Sequence, residues 1–273
     1  MNKILNVAYV VAAFCLTILA FSCGSTGGNK AGGVNLFSVK QDQELGAQLK
    51  DEINSNPDQY PVLPYAGNEK AYNYLYAMRD AILSSDVINY REEFGWELYI
   101  IKDDKTLNAF CAPGGYMYVY TGLIKYLDKA DHLAGVIGHE IAHADQRHST
   151  KQMTKAYGLQ ILVAIIAGGD KSQLAEIAAG LASLSFSRAH EKDADSHSVE
   201  YLCDTKYAAN GAAAFFEKLV AEGQAGGTPA FLSTHPNPGN RVQSINTKAS
   251  EDGCSTALSK DSGYQNFREM MPK

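Results

Sequence analysis

Residues 139–143 read His139-Glu140-Ile141-Ala142-His143, and this pentapeptide constrains the chain more than any other feature. An α-helix turns about 100° per residue, so two histidines four apart lie on one face, about 40° apart. From one rigid element their imidazoles can grip a single Zn²⁺. Glu140 falls beside such a metal, where it can take a proton from a zinc-bound water and hand it to a leaving amine. The other reading is an ordinary helix that happens to carry two histidines, and the flanking residues argue against it. Asp131 reads as an N-cap for a helix running from His132 to His148. On a wheel, Leu133, Val136, Ile137, Ile141 and Ala144 gather on one side, while His139 and His143 occupy another. Ala134, Gly135, Gly138 and Ala142 fill the remaining arc. A glycine inside a helix costs about 1 kcal/mol relative to alanine, so two of them predict close approach of another element. The pattern is that of a core helix carrying a site.

A catalytic zinc needs a third protein ligand and an open position for water. The segment Ser187-Arg188-Ala189-His190-Glu191-Lys192-Asp193-Ala194-Asp195 supplies two acids at i, i+4 on one helix face. Glu191 can ligate, while Asp195 accepts the far N–H of a zinc histidine and fixes its tautomer. Alone, such a stretch reads as a solvated helix face; HExxH upstream makes it a partner.

HExxH followed about fifty residues later by S-R-x-x-E-x-x-A-D resembles the zinc peptidases numbered family forty-eight. That family includes HtpX-type heat-shock proteases, CAAX prenyl proteases and bacterial periplasmic quality-control proteases. Two further segments are similar. Asn108-Ala109-Phe110-Cys111-Ala112-Pro113-Gly114-Gly115, with Tyr116 to Leu123, resembles the family's edge strand, and Thr234-His235-Pro236 followed by Arg241 resembles its late T-H-P…R element. The resemblance spans roughly residues 40–250, with four motifs in order. It implies a zinc endopeptidase with His139, His143 and Glu191 as ligands of one Zn²⁺ and Glu140 as base. It further implies Asp195 behind a ligand and His235 steadying the oxyanion or capping the metal. Arg241, otherwise a plain helix-surface arginine, becomes a candidate active-site or substrate contact. Without the resemblance His235 is a turn histidine in a proline-rich stretch.

Cys111 departs from the pattern, standing where the family has alanine; it reads as a small buried hydrophobe. His190 and His197 flank Glu191 and read as surface groups or groups behind the ligands. His148 lies past the motif, off the ligand face, and reads as structural; His132 is too far N-terminal to join the site.

Trp96 to Ile101 alternates and is rich in aromatics, and Tyr116 to Tyr120 sets a tyrosine at every second position, so both read as strands. Between them, Asn108, Ala109 and Phe110 open a short extended piece that ends at Pro113. Proline cannot complete a central ladder, so the piece belongs at a sheet edge, where an extended peptide can add as a strand. The alternative is a loop crossing the sheet.

The N-terminus places the protein. Lys3 precedes an apolar run from Val7 to Phe21, and Ser22-Cys23 is followed by Gly and Ser residues. A small residue before a cysteine at the end of such a run resembles a bacterial lipobox, in a relaxed form. It implies removal of residues 1–22 as a signal peptide, lipidation of Cys23 and a flexible tether over 23–40. A cleaved signal without lipid, or an uncleaved anchor, are the other possibilities. The metallopeptidase domain then covers 41–273. The net charge of −6 and the lack of a basic stripe argue against a nucleic-acid partner. Cys203 and Cys254 form an expected disulfide in an oxidising periplasm, leaving Cys111 free.

The run Leu159 to Ala167 is too short for a bilayer, which takes about 20 residues, and reads as a buried helix between the two zinc-binding helices, the alternative being an apolar lid or membrane-dipping element. Helices are expected near 41–54, 69–84, 131–148, across 155–203, and near 211–222 and 239–249, with a small sheet over 95–121. The expectation is a mainly helical α+β, zincin-like metallopeptidase domain whose small sheet turns its edge strand to the active site. The expected function is a lipid-anchored zinc metalloendopeptidase of the bacterial envelope, on the periplasmic side of the outer membrane. It would degrade misfolded or unassembled envelope proteins. The alternative is a zinc-containing holdase or assembly factor that binds unfolded chains with little cleavage. A serine hydrolase is disfavoured because no G-x-S-x-G occurs.

Overall fold

Helix α1, Val39–Asn54, starts where Ser38 and Gln41 form a capping box, which satisfies two otherwise orphaned N–H groups at once. Its buried Leu45, Leu49 and Ile53 recur every fourth residue and give it one apolar face. The structure, a computed structural model, describes residues 35–221, 230–236 and 239–272. The expected signal, Cys23 and the first part of the tether lie outside them. Helix α2, Glu69–Leu83, buries Tyr72, Leu75, Met78 and Ile82 in the same way.

The sheet has strands β1 (Leu98–Ile101), β2 (Ala109–Ala112) and β3 (Tyr116–Tyr120) in the order β1-β3-β2. β1 runs parallel to β3 with Leu98 opposite Met117, and β2 runs antiparallel to it with Phe110 opposite Tyr118. β2 is therefore an edge strand, terminated by Pro113. Side chains alternate across a pleated strand, so the sheet has two apolar faces. Leu98, Ile100, Ala109, Cys111, Met117 and Val119 share one cluster with α2 and the HExxH helix. Phe110, Ala112, Tyr118 and Tyr120 share the other with α1 and the helices that follow the motif.

After α3, Thr121–Tyr126, the motif helix α4 spans Ala130–Asp145. Lys129, not Asp131, occupies the N-cap position. Asp131 lies in the first turn, where Oδ1 accepts from the Ala208 and Ser259 amides at 2.8 and 2.9 Å. Three available donors at a distance in sequence outcompeted the local cap, since Ser259 Oγ also donates to it at 2.8 Å. The two glycines have the expected cause. A Cβ on Gly135 would stand 2.0 Å from the Ala212 amide nitrogen, and one on Gly138 would stand 2.9 Å from Ser198 Oγ.

The helix does not continue to His148. Arg147 adopts a left-handed φ of 57°, and a new helix α5, His148–Tyr157, leaves in another direction. Arg147 is paired with Asp42 and bonds the Phe37 carbonyl, while Thr150 donates to Asp42 at 2.7 Å. Contacts with α1 thus hold a turn that carries no glycine or proline. Helices α6 (Leu159–Ile166) and α7 (Lys171–Gly180) follow. α6 buries Leu162 and Ile165 but leaves Ile161 and Val163 exposed, so it is half-buried. Helix α7 ends at Gly180: Leu181–Ser183 is a 3-10 turn and an extended stretch leads to Ser187, so the helical stretch expected across 155–203 is interrupted there.

Helix α8, Arg188–Leu202, packs along α4, and α9, Gly211–Ala221, packs on α4 beside Gly135. A short helix α10, Ala230–Thr234, then α11, Arg241–Glu251, and α12, Tyr264–Glu269, complete the described elements. Cys203 and Cys254 are bonded, which ties the end of α8 to the end of α11; Cys111 is free and buried. Among the described residues no helix is long and apolar enough to cross a membrane. The chain is mainly helical with a small three-stranded sheet, a zincin-like fold.

Candidate active site

α4 is enclosed along its length: His139, Glu140 and His143 are each buried to about 1% exposure or less. α8 begins at Ser187, whose side chain caps the His190 amide at 3.2 Å, and this start aims Glu191 and Asp195 at α4. α10 ends by delivering His235, and α11 begins with Arg241. Four elements distant in sequence therefore meet.

One donor atom from each of His139, His143, Glu191 and His235 lies within 4.8 Å of the others. His143 Nε2 is 3.0 Å from His139 Nε2 and 3.3 Å from Glu191 Oε1. His235 enters through Nδ1, 3.3 Å from His139 Nε2 and 3.2 Å from Glu191 Oε1. Its other nitrogen, Nε2, faces Glu140 Oε1 at 3.6 Å. Aromatic rings hold the histidines flat: Phe186 stacks on His143 at 3.9 Å and Phe231 on His235 at 4.2 Å.

Behind these atoms lies a layer of charge. Asp195 Oδ1 is 3.0 Å from His139 Nδ1, a close but bent contact. Arg241 bonds Asp195 through Nε and Nη2 and pairs with Glu191 Oε2 at 2.8 Å through Nη1. Burial opposes the Asp195 charge, but Arg241 and His139 outweigh it and hold the carboxyl below its usual range. Burial likewise opposes the Glu191 charge, and the three surrounding histidines hold its carboxyl well below the usual range. His139 is pushed up to about 9, burial being overcome by Asp195 and Glu191. His143, by contrast, is pushed well down by burial and by its neighbour His139.

A divalent metal fits this set. Protons crowd onto His139 because two carboxylates face it, and a metal neutralises the same charge while displacing them. Both Glu140 oxygens and His235 Nε2 are buried with no hydrogen-bond partner among the described residues. Orphaned buried oxygens beside a cluster of ligand atoms are what a site shows when its ion and water are its missing partners. The donor set of three imidazoles and a carboxylate is that of a borderline metal such as zinc.

The edge strand adjoins the site. Asn108 Nδ2 donates to the Ala182 carbonyl at 3.1 Å, and the Phe231 amide donates to the Leu107 carbonyl at 3.0 Å. Ala109, Phe110, Cys111 and Ala112 are all buried, so neighbouring elements cover the strand in this arrangement. Burial pushes the Cys111 thiol well up, which keeps it protonated.

The structure sharpens the readings of the other histidines. His148 stays outside the ligand cluster, as expected, but it is fully buried against the back of His143, with Nδ1 3.2 Å from His143 Nδ1. The helical wheel could not show that contact because the helix breaks at Arg147. Of the two readings for His190 the buried one holds, since it stacks on His148 behind His143 at 4.4 Å; His197, half-buried, is held by the Asp193 carbonyl. The stacking residues Phe186 and Phe231 and the acid Asp193 carried no signal in the sequence beyond their proximity to the motifs.

Residues 75–249 match the model of Peptidase family M48, and the chain belongs to that family. The chain is 34% identical over 154 residues to mitochondrial metalloendopeptidase OMA1 of Schizosaccharomyces pombe, covering 55% of this chain and 45% of that protein. It is 31% identical over 160 residues to a putative beta-barrel assembly-enhancing protease of Vibrio cholerae, covering 54% and 33%. With the beta-barrel assembly-enhancing protease of Escherichia coli K12 it shares 28% identity over 170 residues, covering 57% and 35%. The chain thus spans less than half the length of these relatives.

Proposed function

We propose that this chain is a zinc-dependent metalloendopeptidase, anchored in the bacterial envelope by a lipid on Cys23, that degrades misfolded or unassembled envelope proteins. The observation that carries the catalytic reading is Glu140, buried and without a hydrogen-bond partner beside four ligand-type atoms. A structural role would have given those oxygens partners. The names of the bacterial relatives, which refer to β-barrel assembly, support envelope proteins as the substrate class. Main-chain pairing to β2 would recognise backbone, which suits unfolded chains.

His139, His143 and Glu191 would hold the metal. A bound Zn²⁺ supplies Lewis acidity toward a scissile carbonyl and a water. Glu140 then takes the proton at the water oxygen and returns it to the leaving nitrogen. Burial raises its carboxyl above the ordinary range, against the pull of His235 and His139, which brings a base closer to working pH. His235 stands where a catalytic site keeps room for water. With His235 on the metal the arrangement would be a closed one, and an extended peptide would reach β2 only where its cover lifts. An oxyanion-steadying role for His235 belongs to an open form.

The closed ligand set and buried β2 also favour a second reading, a holdase or assembly factor that rarely cuts. Metal analysis with casein cleavage by the purified domain separates the two. One zinc per chain with cleavage abolished by Glu140→Gln supports the enzyme, whereas full complementation of a deletion strain by Glu140→Gln would favour the holdase. Labelled fatty acid should enter the wild type and not Cys23→Ser, and equal labelling of both would remove the anchor.

A further inference from the structure

α8 carries three acids in alternation, Glu191, Asp193 and Asp195. Glu191 and Asp195 lie about 40° apart on the helix, but Asp193 is turned about 200° from each. Glu191 reaches the ligand cluster and Asp195 reaches His139 Nδ1. Asp193 faces away, and His148 stands between it and the site. Asp193 Oδ2 is 3.2 Å from His148 Nε2, again a bent contact, and His148 Nδ1 is 3.2 Å from His143 Nδ1.

We infer that Asp193 and His148 form a two-residue relay that fixes the tautomer and ring angle of His143. A histidine ligates only through a nitrogen without a proton. Since His143 Nε2 faces His139 and Glu191, its proton belongs on Nδ1, and that N–H needs an acceptor because the ring is fully buried. Among the described residues His148 Nδ1 is the hydrogen-bond partner of His143 Nδ1. His148 can accept there only with its own proton on Nε2, and a carboxylate, which only accepts, favours that tautomer. His190, stacked at 4.4 Å, holds the His148 ring in place. The two ligand histidines are thus oriented by the same helix in different ways: His139 by Asp195 directly, His143 by Asp193 through an intermediate ring. His148 is a positioning residue, not a ligand. This rests on the metal-site reading above.

The test compares His148→Leu, which removes the acceptor and keeps bulk, with His148→Asn, whose Oδ1 stands near the position of the lost Nδ1. In metal-free protein, long-range ¹H–¹⁵N correlation of the rings should show His143 protonated at Nδ1 in the wild type and in His148→Asn. His148→Leu should show a mixture. Zinc affinity, read by competition with a chromophoric chelator, should fall on the order of 10–100-fold in His148→Leu and recover to within a few-fold in His148→Asn. Should His148→Leu fail to fold, Asp193→Asn carries the test, with the same mixed tautomer expected at His143. An unchanged tautomer and unchanged zinc affinity in His148→Leu or in Asp193→Asn overturn the relay. So does a His148→Asn as weak as His148→Leu. A wild type that binds no zinc overturns the metal-site reading instead, and the tautomer measurement still decides the relay.

Discussion

Arg241 grips Asp195 with two nitrogens, Nε at 2.7 Å from Oδ2 and Nη2 at 2.6 Å from Oδ1, with both side chains buried. The same Oδ1 faces His139 Nδ1, so the arginine sets the position of a histidine proposed as a metal ligand. Removing one partner of a buried ion pair costs about 3–5 kcal/mol, because the other charge is left uncompensated. Arg241→Ala should therefore lose about that much unfolding free energy in urea, measured on metal-free protein. Arg241→Lys should recover little of it, since an ammonium cannot reproduce the two-pronged geometry. A metal-free Arg241→Ala as stable as the wild type would show that the pair contributes nothing to the fold.

Glu140 has no hydrogen-bond partner among the described residues, so Glu140→Gln should leave the fold and the metal content intact while removing the base. Loss of acid–base help is worth about 10²–10⁴-fold in rate, and peptide cleavage should fall by at least that range at constant zinc occupancy. Loss of zinc along with activity would place Glu140 among the ligands.

His132 is half-buried on α4, and its Nδ1 is buried without a hydrogen-bond partner among the described residues. Burial holds its pKa below 6.5, against the pull of Asp131 and Asp128. The unfolded chain therefore takes up a proton that the folded chain refuses. By linkage, stability is lost as pH falls below 6.5, and the loss levels off once pH passes below the folded value. His132→Gln lacks this liability. Its stability relative to the wild type should be constant above about pH 7.5 and should improve as pH falls from there. Urea titrations of both proteins across that range provide the check; a pH-independent difference would mean that His132 does not titrate differently on folding.

Cys203 and Cys254 are 51 residues apart in sequence. Closing a loop of that length in the unfolded chain corresponds to about 4 kcal/mol in the chain-entropy account, with typical measured values of about 2–4 kcal/mol. The double variant Cys203→Ala, Cys254→Ala should unfold at correspondingly lower urea, and reducing agent should shift the wild type by the same amount. A reductant-insensitive midpoint would argue that the bridge is not formed in solution.

The site and the periphery differ in how far the sequence reveals them. His139 and His143 are legible because four-residue spacing maps directly onto one helix face. Glu191 and Asp195 are legible for the same reason, once a motif says what they are near. The edge position of β2 follows from Pro113, which ends the ladder. By contrast, the break at Arg147 rests on Asp42, Phe37 and Thr150, contacts made across more than a hundred residues of chain. No local pattern announces such a turn, and extending the helix through it hid the approach of His148 to the back of His143. Asp131 failed as a cap for a similar reason, since Ala208 and Ser259 supply its partners. Local rules hold where the partner is local, and both departures involve partners brought in by the tertiary fold.

The contact of α4 with α9 extends the reach of the site beyond the residues that do chemistry. The backbones approach so closely at Gly135 that a single methyl group would overlap the Ala212 amide, and four residues further along the same helix stands His139. A genetic selection for loss of activity would therefore return alanine at Gly135 alongside changes at the ligands, although the glycine never meets metal, water or peptide. Read without the structure, such a map would draw the active site too large. The surplus positions would trace instead the seam along which the motif helix is seated.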